Sequence, residues 1–135
     1  MLAAPLFWVA LLAMDGRSPD VSWPLRSPVQ FLMATLVYPV LEELAFRGFV
    51  QGALRRTRWG VRSVAGVSGA NLATSVAFAA LHFLRHPPLW AGLTFFPSLV
   101  FGYFRDRSGG VALPIVLHVF YNAGYFWLFG SAQVS

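Results

Sequence analysis

The stretch that decides the fold is Val37-Tyr38-Pro39-Val40-Leu41-Glu42-Glu43-Leu44-Ala45-Phe46-Arg47-Gly48-Phe49-Val50, in which three ionisable residues interrupt a run that is otherwise almost wholly apolar. It lies inside a longer hydrophobic segment, Pro28 to Leu54, that opens with proline, a residue favoured at helix starts, and closes on Arg55-Arg56. A bilayer span needs about 20 apolar residues, so this segment is predicted to be a membrane helix. Three further segments read the same way: Val64 to Leu84, Leu89 to Phe104 and Val111 to Phe129. Leu2 to Met14 adds a shorter first helix; with no positive charge ahead of it, it fits a cleaved signal peptide less well. The expected fold is all-α, a polytopic bundle of four to five spans forming one domain over residues 1–135, with its motif-bearing core at about 28–130.

Composition supports that solvent. Hydrophobic residues make up 57% of the 135-residue chain and charged residues 11%, against about 25% charged in soluble domains. Too little polar surface remains to cover a water-facing globule. The net charge of +5 comes from ten arginines and no lysine. All but Arg47 sit in the gaps between apolar runs, and they form no basic face with aromatics, so nucleic acid is not an expected partner. Arg55, Arg56, Arg58, Arg62, Arg105 and Arg107 fall in alternate linkers and are expected on the cytoplasmic side. The absence of cysteine excludes disulfides, thiolate metal sites and cysteine nucleophiles.

Ionisable groups within a bilayer are costly and mark pathways or reaction sites. Glu43 and Arg47 are four apart on one helix face and are expected to pair, which is a structural role. Glu42 points about 100° away and must find a donor elsewhere or take up a proton. A carboxylate so placed suits general-base activation of water. His118 and Asn122, also four apart, can donate together to an oxyanion or serve as interhelical glue. His82 completes the set. If the third span starts near Asn71, with Arg55–Ala70 lying along the membrane surface, His82 comes close to mid-bilayer. Pro39 is expected to kink or open the second helix.

Together these residues resemble the three motifs of the CAAX-protease and bacteriocin-processing family of intramembrane endopeptidases. Glu-Glu-x-x-x-Arg stands as Glu42 to Arg47, Phe-x-x-x-His as Phe78 to His82, and His-x-x-x-Asn as His118 to Asn122. The resemblance implies that Glu42 and His82 activate water and that His118 and Asn122 stabilise the oxyanion. Glu43, Arg47 and Phe78 would support the site. It implies no cofactor, with zinc on Glu42, His82 and His118 as the alternative. The partners it implies are the bilayer and a membrane-associated protein or peptide, cut at a carboxy-terminal sorting or processing segment. The location would be a bacterial inner membrane, crossed several times. A non-catalytic immunity or scaffold protein of the same family is the rival reading. A rhomboid-like serine protease using Gly66-Val67-Ser68-Gly69 is a weaker one.

Overall fold

The computed structural model describes residues 21–130, together with Pro5, Trp8 and Val9. The expected first helix, Leu2 to Met14, lies outside the described residues apart from those three. The described elements are α1 (Trp23–Arg26), α2 (Pro28–Leu54), a two-residue hairpin of β1 (Ser63–Val64) and β2 (Val67–Ser68), α3 (Gly69–His82), α4 (Pro88–Leu93), α5 (Phe95–Ser108) and α6 (Ala112–Phe129).

Among the described residues two helices are long and apolar enough to cross a membrane, α2 with 27 residues and α6 with 18. At 1.5 Å per residue they reach about 40 Å and 27 Å, against a hydrocarbon core of about 30 Å. The other two expected spans are shorter than the sequence suggests. α3 begins at Gly69, close to the start expected if residues 55–70 lie outside the span, and covers 14 residues. Ser68 ends the irregular stretch by accepting the Asn71 amide, 3.0 Å away, as a side-chain cap. The segment Leu89–Phe104 is not one helix but two, parted at Thr94. Pro97 explains the break: it has no N–H for the carbonyl one turn back, and the Thr94 hydroxyl turns onto Ala91 O at 2.6 Å.

α2 is not a uniform α-helix. Met33–Val37 and Leu44–Val50 are π-helical, and Tyr38 N and Gln51 N reach back five residues to Met33 O and Phe46 O. The buried residues of α2 are Thr35, Pro39, Glu43, Arg47 and Gln51, spaced by four throughout. In a regular α-helix a spacing of four drifts by about 40° per step. The wider π turns absorb that drift and keep the stripe straight. Pro39 does open the helix, through the π turn ahead of it.

The chain divides into two compact units, one of Met1–Val40 with Leu117–Ser135, the other of Leu41–Val116. In the first, aromatic residues gather around the buried Trp23. The Trp23 indole N–H donates to Phe126 O, and Phe31 meets both Trp23 (5.7 Å) and Trp127 (6.2 Å) edge to face. In the second, α3 and α5 pack closely through Ala70, Asn71, Ser75, Ser98 and Gly102, all buried. Small residues allow that approach, as in membrane bundles generally. Gly102 is required: a Cβ there would lie 1.8 Å from Asn71 Oδ1 and 3.0 Å from Arg47 Nη1.

Candidate active site

Glu43 and Arg47 pair as their spacing predicts, Nε to Oε2 at 3.3 Å, with both side chains fully buried. Two buried charges are stable only when their remaining donors and acceptors are also met. Arg47 meets its own by donating to Gln51 Oε1 at 3.3 Å and to the Ser98 hydroxyl, and its guanidinium carbon lies 5.9 Å from the centre of the Phe78 ring. Gln51 passes the chain of bonds on, donating to Gly102 O at 3.0 Å and to Asp106 Oδ1 at 2.9 Å. Asp106 also takes the Ser68 hydroxyl at 2.6 Å and the Arg55 guanidinium at 2.6 Å. A polar ladder therefore runs from Glu43 to the arginine-rich end of the unit.

Sequence reasoning missed most of this ladder. Gln51 continues the four-residue step of Glu43 and Arg47, and Asp106 is the one acid in Arg105-Asp106-Arg107, so both carried a readable signal. Ser98 and Asn71 did not. Asn71 donates to Leu99 O at 3.0 Å and accepts the Ser75 hydroxyl at 3.1 Å, which ties α3 to α5.

Phe78 links the first two motifs. Its ring meets Phe46 at 5.0 Å and His82 at 4.5 Å. α3 returns beside α2, so Glu42, one turn before Phe46, and His82, one turn after Phe78, come to the same level. His82 Nδ1 lies 2.9 Å from Phe78 O. A carbonyl only accepts, so Nδ1 carries the hydrogen. His86, one turn further on, stacks on His82 at 5.5 Å. Burial lowers its pKa below 6.5, assisted by the neighbouring His82 and opposed by the Glu42 carboxylate. Glu42 itself is half-buried.

His118 and Asn122 lie on α6 within the other unit. His118 is buried, and Asn122 donates from Nδ2 to Ala34 O at 3.1 Å. One hydrogen of that amide therefore binds α6 to α2, as interhelical glue would. Ser68 caps α3 and donates to Asp106, at the opposite end of that helix from His82. Among the described residues no group of three or more His, Asp or Glu side chains is placed to hold a metal ion.

Apolar helices that bury an ion pair, with a second carboxylate level with a histidine pair, define a membrane protein with a candidate hydrolytic centre. The family model described as type II CAAX prenyl endopeptidase Rce1-like matches residues 24–124, and the chain belongs to that protease family. The matched stretch contains all three motifs. Searches of curated proteins and of solved structures returned no match.

Proposed function

We propose that this protein is an intramembrane endopeptidase that cuts a membrane-associated protein or peptide, at a carboxy-terminal sorting or processing segment, without a metal. Glu42 accepts a proton from water while His82 orients that water, and the hydroxide adds to the scissile carbonyl carbon. His118 and the second amide hydrogen of Asn122 donate to the resulting oxyanion. Collapse of the tetrahedral intermediate breaks the C–N bond, and the proton held by Glu42 passes to the leaving amine. Glu43 and Arg47 hold α2 so that Glu42 faces α3. The remaining helices, α3 and the α4–α5 pair, enter the inner membrane with α2 and α6 as a multi-pass bundle.

The observation that carries this reading is the Phe46–Phe78–His82 ring series, which sets the α2 turn after Glu42 against the end of α3 that bears His82. The test compares wild-type cells with cells carrying Glu42→Gln, His82→Ala or His118→Ala, using mass spectrometry to find new protein termini. New carboxy-terminal or internal ends present only in wild type support the proposal. Identical termini in all four strains would instead favour an immunity or scaffold role.

A further inference from the structure

The arginine-rich end of the second unit holds a cavity that the proposed chemistry does not use. Its volume is about 340 Å³, and it is lined by Gly48, Phe49, Gly52, Ala53, Arg56 and Arg105. The floor is small and apolar. A Cβ at Gly48 would first meet the Val111 side chain at 3.6 Å, and one at Gly52 would meet Arg105 Nη2 at 3.7 Å, so the Arg105 guanidinium lies over bare backbone. Its Nε donates to Arg47 O at 3.1 Å, which fixes the group and directs its Nη edge to the cavity. Phe49, beside it, is 78% exposed and continues the apolar wall outward.

Charge at this end is unbalanced. Among the described residues Arg55, Arg56, Arg58, Arg62, Arg105 and Arg107 share it with one acid, Asp106, which pairs with Arg55. A cavity lined by two guanidinium groups and two glycines, beside the exposed Phe49, matches a ligand that is anionic at one end and hydrocarbon at the other. Guanidinium forks bind phosphate in bidentate fashion, and basic pockets between membrane helices hold acidic headgroups. We infer that this cavity binds the phosphate headgroup of an anionic glycerophospholipid, with Arg56 and Arg105 on the phosphate and an acyl chain along Gly48 and Phe49.

Native mass spectrometry of the purified full chain tests this without any cleavage assay. The protein is released from mixed micelles of phosphatidylglycerol and phosphatidylcholine, with and without added inorganic phosphate. Wild type should retain phosphatidylglycerol over phosphatidylcholine by roughly 30-fold, the value of two arginines near a lipid phosphate. Arg56→Gln, in an exposed turn where it cannot unfold the protein, should remove a large part of that preference. Gly52→Leu, which fills the floor and keeps both arginines, should abolish it. The Arg58→Gln/Arg62→Gln variant, which removes more charge but none from the cavity lining, should retain it. The inference is overturned if Arg58→Gln/Arg62→Gln loses lipid as fully as Arg56→Gln does, since the charge would then be diffuse. Undiminished binding by Gly52→Leu, equal retention of the two lipids, or complete displacement by phosphate would each overturn it as well.

Discussion

The Asn122 amide donates to the carbonyl of Ala34, an acceptor that Pro39 deprives of its backbone donor. In the π turn Met33–Val37 the Met33 carbonyl takes Tyr38 N, five residues ahead, and the same step from Ala34 O reaches the nitrogen of Pro39, which bears no hydrogen. An unmet carbonyl in a bilayer costs several kcal/mol, and Asn122 supplies the missing hydrogen. Asn122→Leu should therefore destabilise the protein by about 1–3 kcal/mol. In a Pro39→Ala background the loss should shrink, because alanine restores the N–H. A double-mutant cycle read by denaturant unfolding in micelles checks this, and a coupling energy near zero refutes it.

The buried Glu43–Arg47 pair gives a second expectation. Removing one member leaves the other charged, buried and unpaired, which costs about 3–5 kcal/mol. Arg47→Lys should fare little better than Arg47→Met, because an ammonium cannot serve Glu43, Gln51 and Ser98 with one planar fork. Thermal unfolding of the two variants, side by side, tests it.

Gly102→Ala should be among the most damaging single-methyl changes in the chain. The added carbon would collide with the Asn71 amide and press on Arg47, so α5 must move away from α3. Overpacking of this kind costs about 1–3 kcal/mol. Gly92→Ala, where the nearest atom is a Phe83 ring carbon at 3.9 Å, is the control and should be tolerated.

Thr74 offers the opposite sign. Its hydroxyl is fully buried and has no hydrogen-bond partner in the structure. Replacing it with the isosteric valine removes a desolvated polar group and should stabilise by about 1 kcal/mol. A lower melting temperature for Thr74→Val would show that the hydroxyl has a role.

The His86 imidazole predicts a pH dependence. Its folded pKa lies below the ordinary 6.5, chiefly through burial, so the unfolded chain binds the proton more readily. Stability is full above pH 6.5 and falls as the pH drops from there through the folded value. His86→Gln should flatten that part of the stability profile, measured between pH 7.5 and 5, as a modest effect given how exposed the ring is.

The sequence made the apolar helices, their polar motifs and the Glu43–Arg47 pair legible, because each rests on spacing along one segment. α2 emerged with the expected bounds, and α6 within one residue at its start. The break at Thr94 was harder to see, since Leu89–Phe104 is apolar throughout and Pro97 alone marks the fault. The role of Asp106 depends on Gln51, Ser68 and Arg55 meeting it from three places in the chain, which no periodicity encodes. The tie between Asn122 and Ala34 was hidden for a related reason: it depends on a π turn, and motif spacing assumes regular winding.

The π turn at Leu44–Val50 also gives α2 one place where its length can change. Deleting one residue there would let the segment relax to ordinary α winding, and the tighter winding would nearly make up the rotation lost with that residue. Gln51 would then stay near Asp106. Variation in this family member should therefore tolerate a one-residue gap between Leu44 and Val50, and the exposed Gly109-Gly110 connection can change in length too.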